Sequence, residues 1–223
     1  MTPSLLFPEL AELPGFAFPQ SLCETYRPAT IAEFAGLAAV KDTLRGFAAE
    51  PKNIGLLFVG PAGTGKTSMG LALARETGAF VHHVQAGHFT VDKVRELAHS
   101  CHYFAPPGFR RHCILVDEVD CASYQAQLAT LSYLDGTATI PDTFWCFTCN
   151  GTDKLHDRFI SRNRELNFST YGIQADAAKL LERVWTDNTE APAPNFAAII
   201  KQQNGNVRAA LQVLDSKLDA LRA

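Results

Sequence analysis

The chain has 223 residues, with 20 Lys and Arg against 23 Asp and Glu and a formal net charge of −3. That length buries a full core and allows one large domain or a medium domain with a small appendage, while the mild acidity excludes a global positive field for nucleic acid. Any contact with nucleic acid has to come from a local patch or from an assembly of subunits. No apolar run is long enough to span a membrane. The first 20 residues are broken by four prolines, with no Lys or Arg before their apolar part, unlike a secretory signal. Together these features predict a cytoplasmic protein without a membrane partner.

From about residue 31, helical and strand-like segments alternate, the pattern of an α/β domain with a mainly parallel sheet. Strands are expected at 54–59, 79–84, 112–117 and 144–149, with a short one near 165–168. Val91, Val94, Leu97, Ala98 and Cys101 recur at helical spacing behind Thr90, an N-cap residue. After Gly172 the strand signals stop. Three apolar stripes follow: Ala177, Leu180, Leu181, Val184 and Trp185; Phe196, Ile199 and Ile200; Val207, Leu211, Leu214, Leu218 and Leu221. They predict a small bundle of three amphipathic helices, with the prolines at 192 and 194 opposing helix between the first and second.

The six cysteines offer no clear disulfide or zinc pattern. Cys146 and Cys149 have C-x-x-C spacing but lie along an expected strand, where positions three apart face opposite sides. His82, His83, His88, His99, Cys101 and His102 match no zinc template and read as scattered surface or core residues.

The segment from Gly60 through Pro61, Ala62, Gly63, Thr64, Gly65 and Lys66 to Thr67 fits G-x-x-x-x-G-K-[ST], follows an apolar strand and precedes helix formers. Its glycines let successive backbone N–H groups turn toward phosphate oxygens, and the following helix adds the positive end of its dipole. Lys66 supplies charge, Thr67 a magnesium ligand, and Ser68 extends the loop. These residues predict binding of a nucleoside triphosphate. Hydrolysis needs an acidic site on a neighbouring strand, and the run Cys113–Glu118 supplies one. Asp117 is expected to hold Mg2+ with Thr67, and Glu118 to polarise the attacking water. Asn150 ends the next apolar strand, where its amide can orient that water; alone, Asn-Gly is a turn.

Tyr26-Arg27-Pro28, Phe34-Ala35-Gly36, the P-loop, Asp117-Glu118-Val119-Asp120, Asn150, Ser161-Arg162 and Gly205-Asn206-Val207-Arg208 stand in the order found in clamp-loader ATPases of the AAA+ superfamily. The chain resembles the small subunits of replication factor C and is similar to the bacterial gamma/tau subunit over about residues 24–216. The resemblance implies a three-layer α/β P-loop domain at 24–171 around a five-stranded sheet, an all-helical lid at 172–223 and an N-terminal extension at 1–23. It implies that Tyr26, Arg27 and Pro28 lie against adenine, with Val40 as an apolar neighbour. It further implies that Arg162 reaches the γ-phosphate bound by the next subunit and that Arg208 serves the lid. Arg158 is the rival finger, because Asp157-Arg158-Phe159 resembles the Holliday-junction motors. Arg208 has a physical oddity of its own, a cation in the first turn of a helix, which an anion nearby would explain.

The chain also departs from the pattern. Leu37 stands where clamp loaders usually carry glutamine, Asn163 where cysteine usually follows the serine-arginine motif, and the four-cysteine module of the gamma/tau branch is absent. The sequence ends at Ala223, where a helical collar would follow. The expected protein is an ATP- and Mg2+-dependent ATPase, acting with itself or related AAA+ subunits in a ring or filament. Its implied output is loading or remodelling of a protein on DNA, with a sliding clamp as first target. An ATP-gated scaffold that recruits partners to DNA and a branch-migration motor are the alternatives.

Overall fold

The computed structural model describes residues 20–138 and 140–222. Most of the expected N-terminal extension, residues 1–19, lies outside the described residues. Five strands, β1 (Gly55–Val59), β2 (Ala79–Gln85), β3 (Arg111–Asp117), β4 (Thr143–Cys149) and β5 (Asn163–Asn167), form one sheet in the order β2-β3-β4-β1-β5. All four pairings are parallel. The expected strand limits hold to within a residue except for β5, which starts at Asn163. Its opening Asn163, Arg164 and Glu165 hid that strand from an apolar pattern. Such residues suit an edge, where charge discourages pairing with another chain.

Helices cover both faces, which is why the inner strands read as continuous apolar runs rather than alternating ones. On one face α2 (Ala38–Ala49) and α3 (Lys66–Glu76) pack over Leu56, Phe58, Leu115 and Cys146. On the other, α4 (Val91–Ser100), α5 (Tyr124–Ala129) and α7 (Asp157–Ser161) cover Leu57, Val116, Phe147 and Cys149. A short α6 (Leu131–Leu134) precedes β4. Cys146 and Cys149 thus belong to cores on opposite faces. The Thr90 hydroxyl accepts the Lys93 backbone N–H at 3.2 Å and caps α4.

The helices α8 (Gln174–Asn188), α9 (Phe196–Gln202) and α10 (Val207–Arg222) pack around a core of their own that includes Leu181, Val184, Ile200 and Leu214. A four-residue helix, α1 (Leu22–Thr25), adds Leu22 to this core, a contribution from the chain's opposite end that no stripe in the sequence announces. Leu221, counted in the third stripe, is 54% exposed, because the end of α10 extends beyond the bundle. Among the described residues no helix is long and apolar enough to cross a membrane.

Phe58 is fully buried, with its ring 5.1 Å from that of Phe168, where β1 meets the segment following β5. Phe58→Ala should lower the unfolding free energy by about 3–5 kcal/mol, through lost burial plus the cavity left behind. Thr90→Ala, which removes one cap, should cost about 0.5–2 kcal/mol. Denaturant titration of both variants checks the ranking; a Phe58→Ala loss no larger than that of Thr90→Ala would contradict it.

Candidate functional site

In a parallel sheet the strand ends that precede the right-handed crossovers lie on one edge, and β4 stands between β1 and β3. The three sequence signals therefore meet side by side: the loop after β1, the acidic pair after β3 and the polar end of β4. Gly63 and Gly65 have φ of 77° and 89°, left-handed values that glycine adopts without steric cost and that bend the loop into the start of α3. Lys66 folds back over the loop, its ammonium 2.6 Å from the Gly60 carbonyl, 2.9 Å from that of Pro61 and 3.2 Å from Asn150 Oδ1. Burial pulls the Lys66 pKa below the ordinary lysine value, while Asp120 and Glu118 pull it back up. The cation is thus held in a dry position with carbonyl and amide oxygens that phosphate oxygens can replace.

Asp117 is the hub on the β3 side. Its Oδ1 accepts from the Thr67 hydroxyl at 2.8 Å and from the Thr148 hydroxyl at 3.1 Å, and its Oδ2 lies 2.6 Å from His83 Nε2. One hydroxyl and one carboxylate form the hard oxygen set that Mg2+ prefers. Glu118 has φ 57° and ψ 44°, a left-handed conformation that costs a non-glycine residue about 1–2 kcal/mol. Its backbone N–H donates to Thr148 Oγ1 at 3.0 Å, which holds this turn against β4. Glu118, Asn150, Ala62, Ser68 and Arg208 line the same cleft as Lys66 and Thr67. The Asn150 N–H points at Asp120 Oδ2, 3.4 Å away, so the ends of β3 and β4 are tied together.

A second, more apolar chamber opens from this cleft, and Gly63, Gly65, Ser68 and Arg208 line both. Tyr26, Arg27, Pro28 and Leu37 form one wall, Thr64 lies on the loop side, and Ile173, Leu180 and Leu211 from the helical bundle face them. The Tyr26 hydroxyl lies 3.1 Å from Asp187 Oδ2 and accepts from Asn188 Nδ2 at 3.0 Å, which fastens the N-terminal loop to α8. Burial raises the Tyr26 pKa, reinforced by the Asp187 hydrogen bond. Val40 does not line this chamber. With Leu44 and Phe47 it forms the i, i+4, i+7 face of α2 that packs on the sheet, leaving it 5% exposed. Leu37, one turn earlier, supplies the wall instead, in a left-handed conformation with φ 58° directly before α2.

Arg208 occupies the first turn of α10 and bridges cleft and chamber. Directly before α10, Asn206 Oδ1 accepts from the Ala209 N–H at 3.0 Å and caps the helix. The Asn206 carboxamide lies so close to Gly63 that a Cβ there would run into it. The start of α10 therefore rests on the P-loop backbone.

Arg162 stands apart from the cleft. It immediately precedes β5, whose Asn163 is in register with Gly55 at the start of β1, whereas the P-loop follows the other end of β1. At about 3.3 Å per residue the two positions are about 20 Å apart along the strand, beyond the reach of an arginine side chain. Arg162 Nε lies 3.2 Å from Asp135 Oδ2, and its Nη1 donates to the Arg158 carbonyl at 3.3 Å. Hydrogen bonds from Thr137, aided by Arg162, hold the Asp135 carboxyl below its usual range. Arg158 is exposed on α7, also outside the cleft.

Sequence reasoning missed Thr148 and His83 as partners of Asp117. Thr148 left a trace, a polar residue inside an apolar strand directly before Cys149-Asn150; His83 left none beyond its place on the neighbouring strand. Of the six histidine and cysteine residues between 82 and 102, two take part in a cluster. His82 and Cys101 are not scattered but converge with His112, their ligand-type atoms within 4.8 Å of one another.

Replication factor C subunit 3 of Blastobotrys adeninivorans is 29% identical over 203 residues, covering 86% of this chain and 59% of the relative. The replication factor C small subunit of Halobacterium salinarum is 27% identical over 202 residues, covering 86% and 61%. Replication factor C subunit 3 of Saccharomyces cerevisiae is 30% identical over 203 residues, covering 86% and 58%. The chain thus spans about three fifths of the length of these relatives. The RuvB Holliday junction branch migration motor of Thermotoga maritima superposes with a TM-score of 0.74 at 18% identity, over 89% of this chain and 68% of that one, a likeness of fold. The model of the ATPase family associated with various cellular activities (AAA) matches residues 56–170, just over half of the sequence and the stretch from β1 to the segment after β5. With its P-loop, acidic strand end and Asn150 lying on one edge of that sheet, the chain belongs to the AAA family.

Proposed function

We propose that this protein is a magnesium-dependent ATPase of the replication factor C type, with a nucleotide-binding unit at 24–171 and a helical lid at 172–223. The observation that carries the reading is the polar cleft around Lys66, Thr67, Asp117 and Glu118 opening into a chamber walled by both the N-terminal loop and the helical bundle. A triphosphate fits the cleft and an adenine base the chamber. The P-loop from Gly60 to Ser68 would wrap the phosphates with backbone N–H groups, and Lys66 would exchange its carbonyl contacts for phosphate oxygens. Thr67 and Asp117 would hold Mg2+, whose chemistry is to neutralise phosphate charge.

Glu118 takes the proton of the attacking water, and Asn150 orients that water from the end of β4. Arg208 reaches the phosphates from α10, so nucleotide links lid to sheet. Arg162 acts on the site of an adjoining subunit, because its own cleft is beyond its reach; it would leave Asp135 to do so. This arrangement requires an oligomer of this chain or of related AAA+ subunits. Its output, by similarity to proteins named for replication, is loading or remodelling of a protein on DNA, with a sliding clamp as first target, in the cytoplasm or nucleus.

Three measurements test this reading. Glu118→Gln should retain ATP binding while turnover falls by about 100-fold or more; unchanged hydrolysis removes Glu118 from the water-activating role. Arg162→Ala should lower turnover by about 1000-fold, and mixing it with Glu118→Gln subunits should restore part of the activity. Failure of every such mixture points to Arg158 or to a monomeric enzyme, and activity restored on mixing Arg158→Ala with Glu118→Gln subunits then assigns the finger to Arg158. ATPase of the unmodified protein should rise more with primed DNA and a cognate clamp together than with either alone. Stimulation by DNA alone with ATP-dependent filaments supports a scaffold, and ATP-driven movement of four-way junctions supports a branch-migration motor.

A further inference from the structure

Away from the nucleotide cleft, the face of the sheet beneath α4 carries a compact group of donors. His82 projects from β2 and His112 from β3 toward the end of α4, where Cys101 is buried. His82 Nε2 and His112 Nδ1 are 2.9 Å apart, and the three ligand-type atoms lie within 4.8 Å of one another. We propose that His82, His112 and Cys101 bind one divalent ion of the zinc class, which clamps the loop between α4 and β3 against the sheet.

The donor set itself selects the ion. Two imidazoles and a thiolate are borderline and soft ligands, suited to Zn2+ rather than to Mg2+ or Ca2+. A tetrahedral zinc centre, with bonds of about 2.0–2.3 Å, spaces its ligand atoms about 3.3–3.6 Å apart. The histidine pair therefore has to open by about 0.4 Å, and no other pair to close by more than about 1.5 Å, changes within the reach of side-chain rotation. A water completes four-coordination.

The surroundings fit the same role. His112 Nε2 lies 3.0 Å from the Tyr103 carbonyl, an acceptor only, so in the neutral ring Nε2 carries the hydrogen and Nδ1 presents its lone pair to His82. A second ring nitrogen donating to a backbone carbonyl is the usual support of a metal-bound histidine. The Phe80 ring packs 5.1 Å from His82 and 5.3 Å from Phe109, walling the group with apolar surface. Burial lowers the His82 pKa, and nearby His112 adds to the effect, so the ring favours its neutral, ligating form. Burial pushes the Cys101 thiol up to about 12, against a pull from Thr143, so without metal it stays protonated.

Binding then balances simply. The Cys101 S–H proton leaves to solvent, the His82 proton moves from Nε2 to Nδ1, and coordinate bonds from three side chains and a water replace the His82–His112 hydrogen bond and the contact of Cys101 with Thr143. Cys101 opens and His112 closes a loop that carries Tyr103 and Phe104, 65% and 101% exposed. The ion would thus fix the base of an aromatic loop that has little packing of its own.

The test is a titration of the full, chelator-stripped chain with Co2+ and then Zn2+, in excess Mg2+ to occupy oxygen-rich sites. One Co2+ per chain should give tetrahedral d–d bands with a thiolate-to-metal charge-transfer band, and Zn2+ should abolish both. Cys101→Ser should lose the charge-transfer band, and His82→Gln and His112→Gln should weaken Zn2+ binding more than about 100-fold. Cys149→Ser should leave the spectrum unchanged. Zn2+ should also raise the melting temperature of the unmodified chain but not that of His82→Gln. If the fully buried variants fail to fold, half-buried His82→Gln decides alone. Absence of the bands, their survival in Cys101→Ser, or unchanged Zn2+ affinity in His82→Gln overturns the proposal.

Discussion

The nucleotide cleft depends on β4 lying between β1 and β3. That order makes Thr148 the neighbour of Asp117 and brings Asn150 within hydrogen-bonding distance of Lys66, although 31 and 84 residues separate these pairs in the chain. The β4 end thus acts as a spacer that carries polar groups of its own. It carries one hydroxyl toward the acidic side and one amide toward the basic side, and a strand of the wrong register would turn both into the opposite faces. The fully buried residues on both sides of the sheet enforce that register.

The same order explains how one loop can serve two compartments. The P-loop sits where the sheet ends and the helical bundle begins, so its glycines contribute backbone to the polar cleft and to the apolar chamber alike. Leu37 and Glu118 are both held in left-handed backbone at the rim of this space. Strain at two non-glycine positions around a single cleft is what a site shaped for a ligand, rather than for stability alone, would show.

Much of this was legible in sequence because it is local. The P-loop, the apolar runs of β1, β3 and β4, the Thr90 cap and the three stripes of the bundle all follow from spacing within a dozen residues. What escaped depends on tertiary placement. Val40 and Leu37 are both apolar and one helical turn apart, and only the roll of α2 on the sheet decides which faces the chamber. The Tyr26 hydroxyl meets Asp187 across 161 residues, a pairing with no spacing to betray it. His112 joins His82 and Cys101 because β2 and β3 are neighbours and α4 crosses them, whereas along the chain it looked like one more strand residue.

The missing side chain of Gly63 has a mechanical meaning. Because the Asn206 carboxamide both touches Gly63 and caps α10, the P-loop and the root of a 16-residue helix share one bearing surface. At 1.5 Å per residue that helix is about 24 Å long, so a 5° tilt at its root swings the far end by about 2 Å. A shift at the loop too small to alter its own contacts is thus enlarged geometrically along the helix. A Cβ in place of that glycine's hydrogen would push the Asn206 carboxamide away, so the seating of α10 on the loop depends on the smallest residue in the chain.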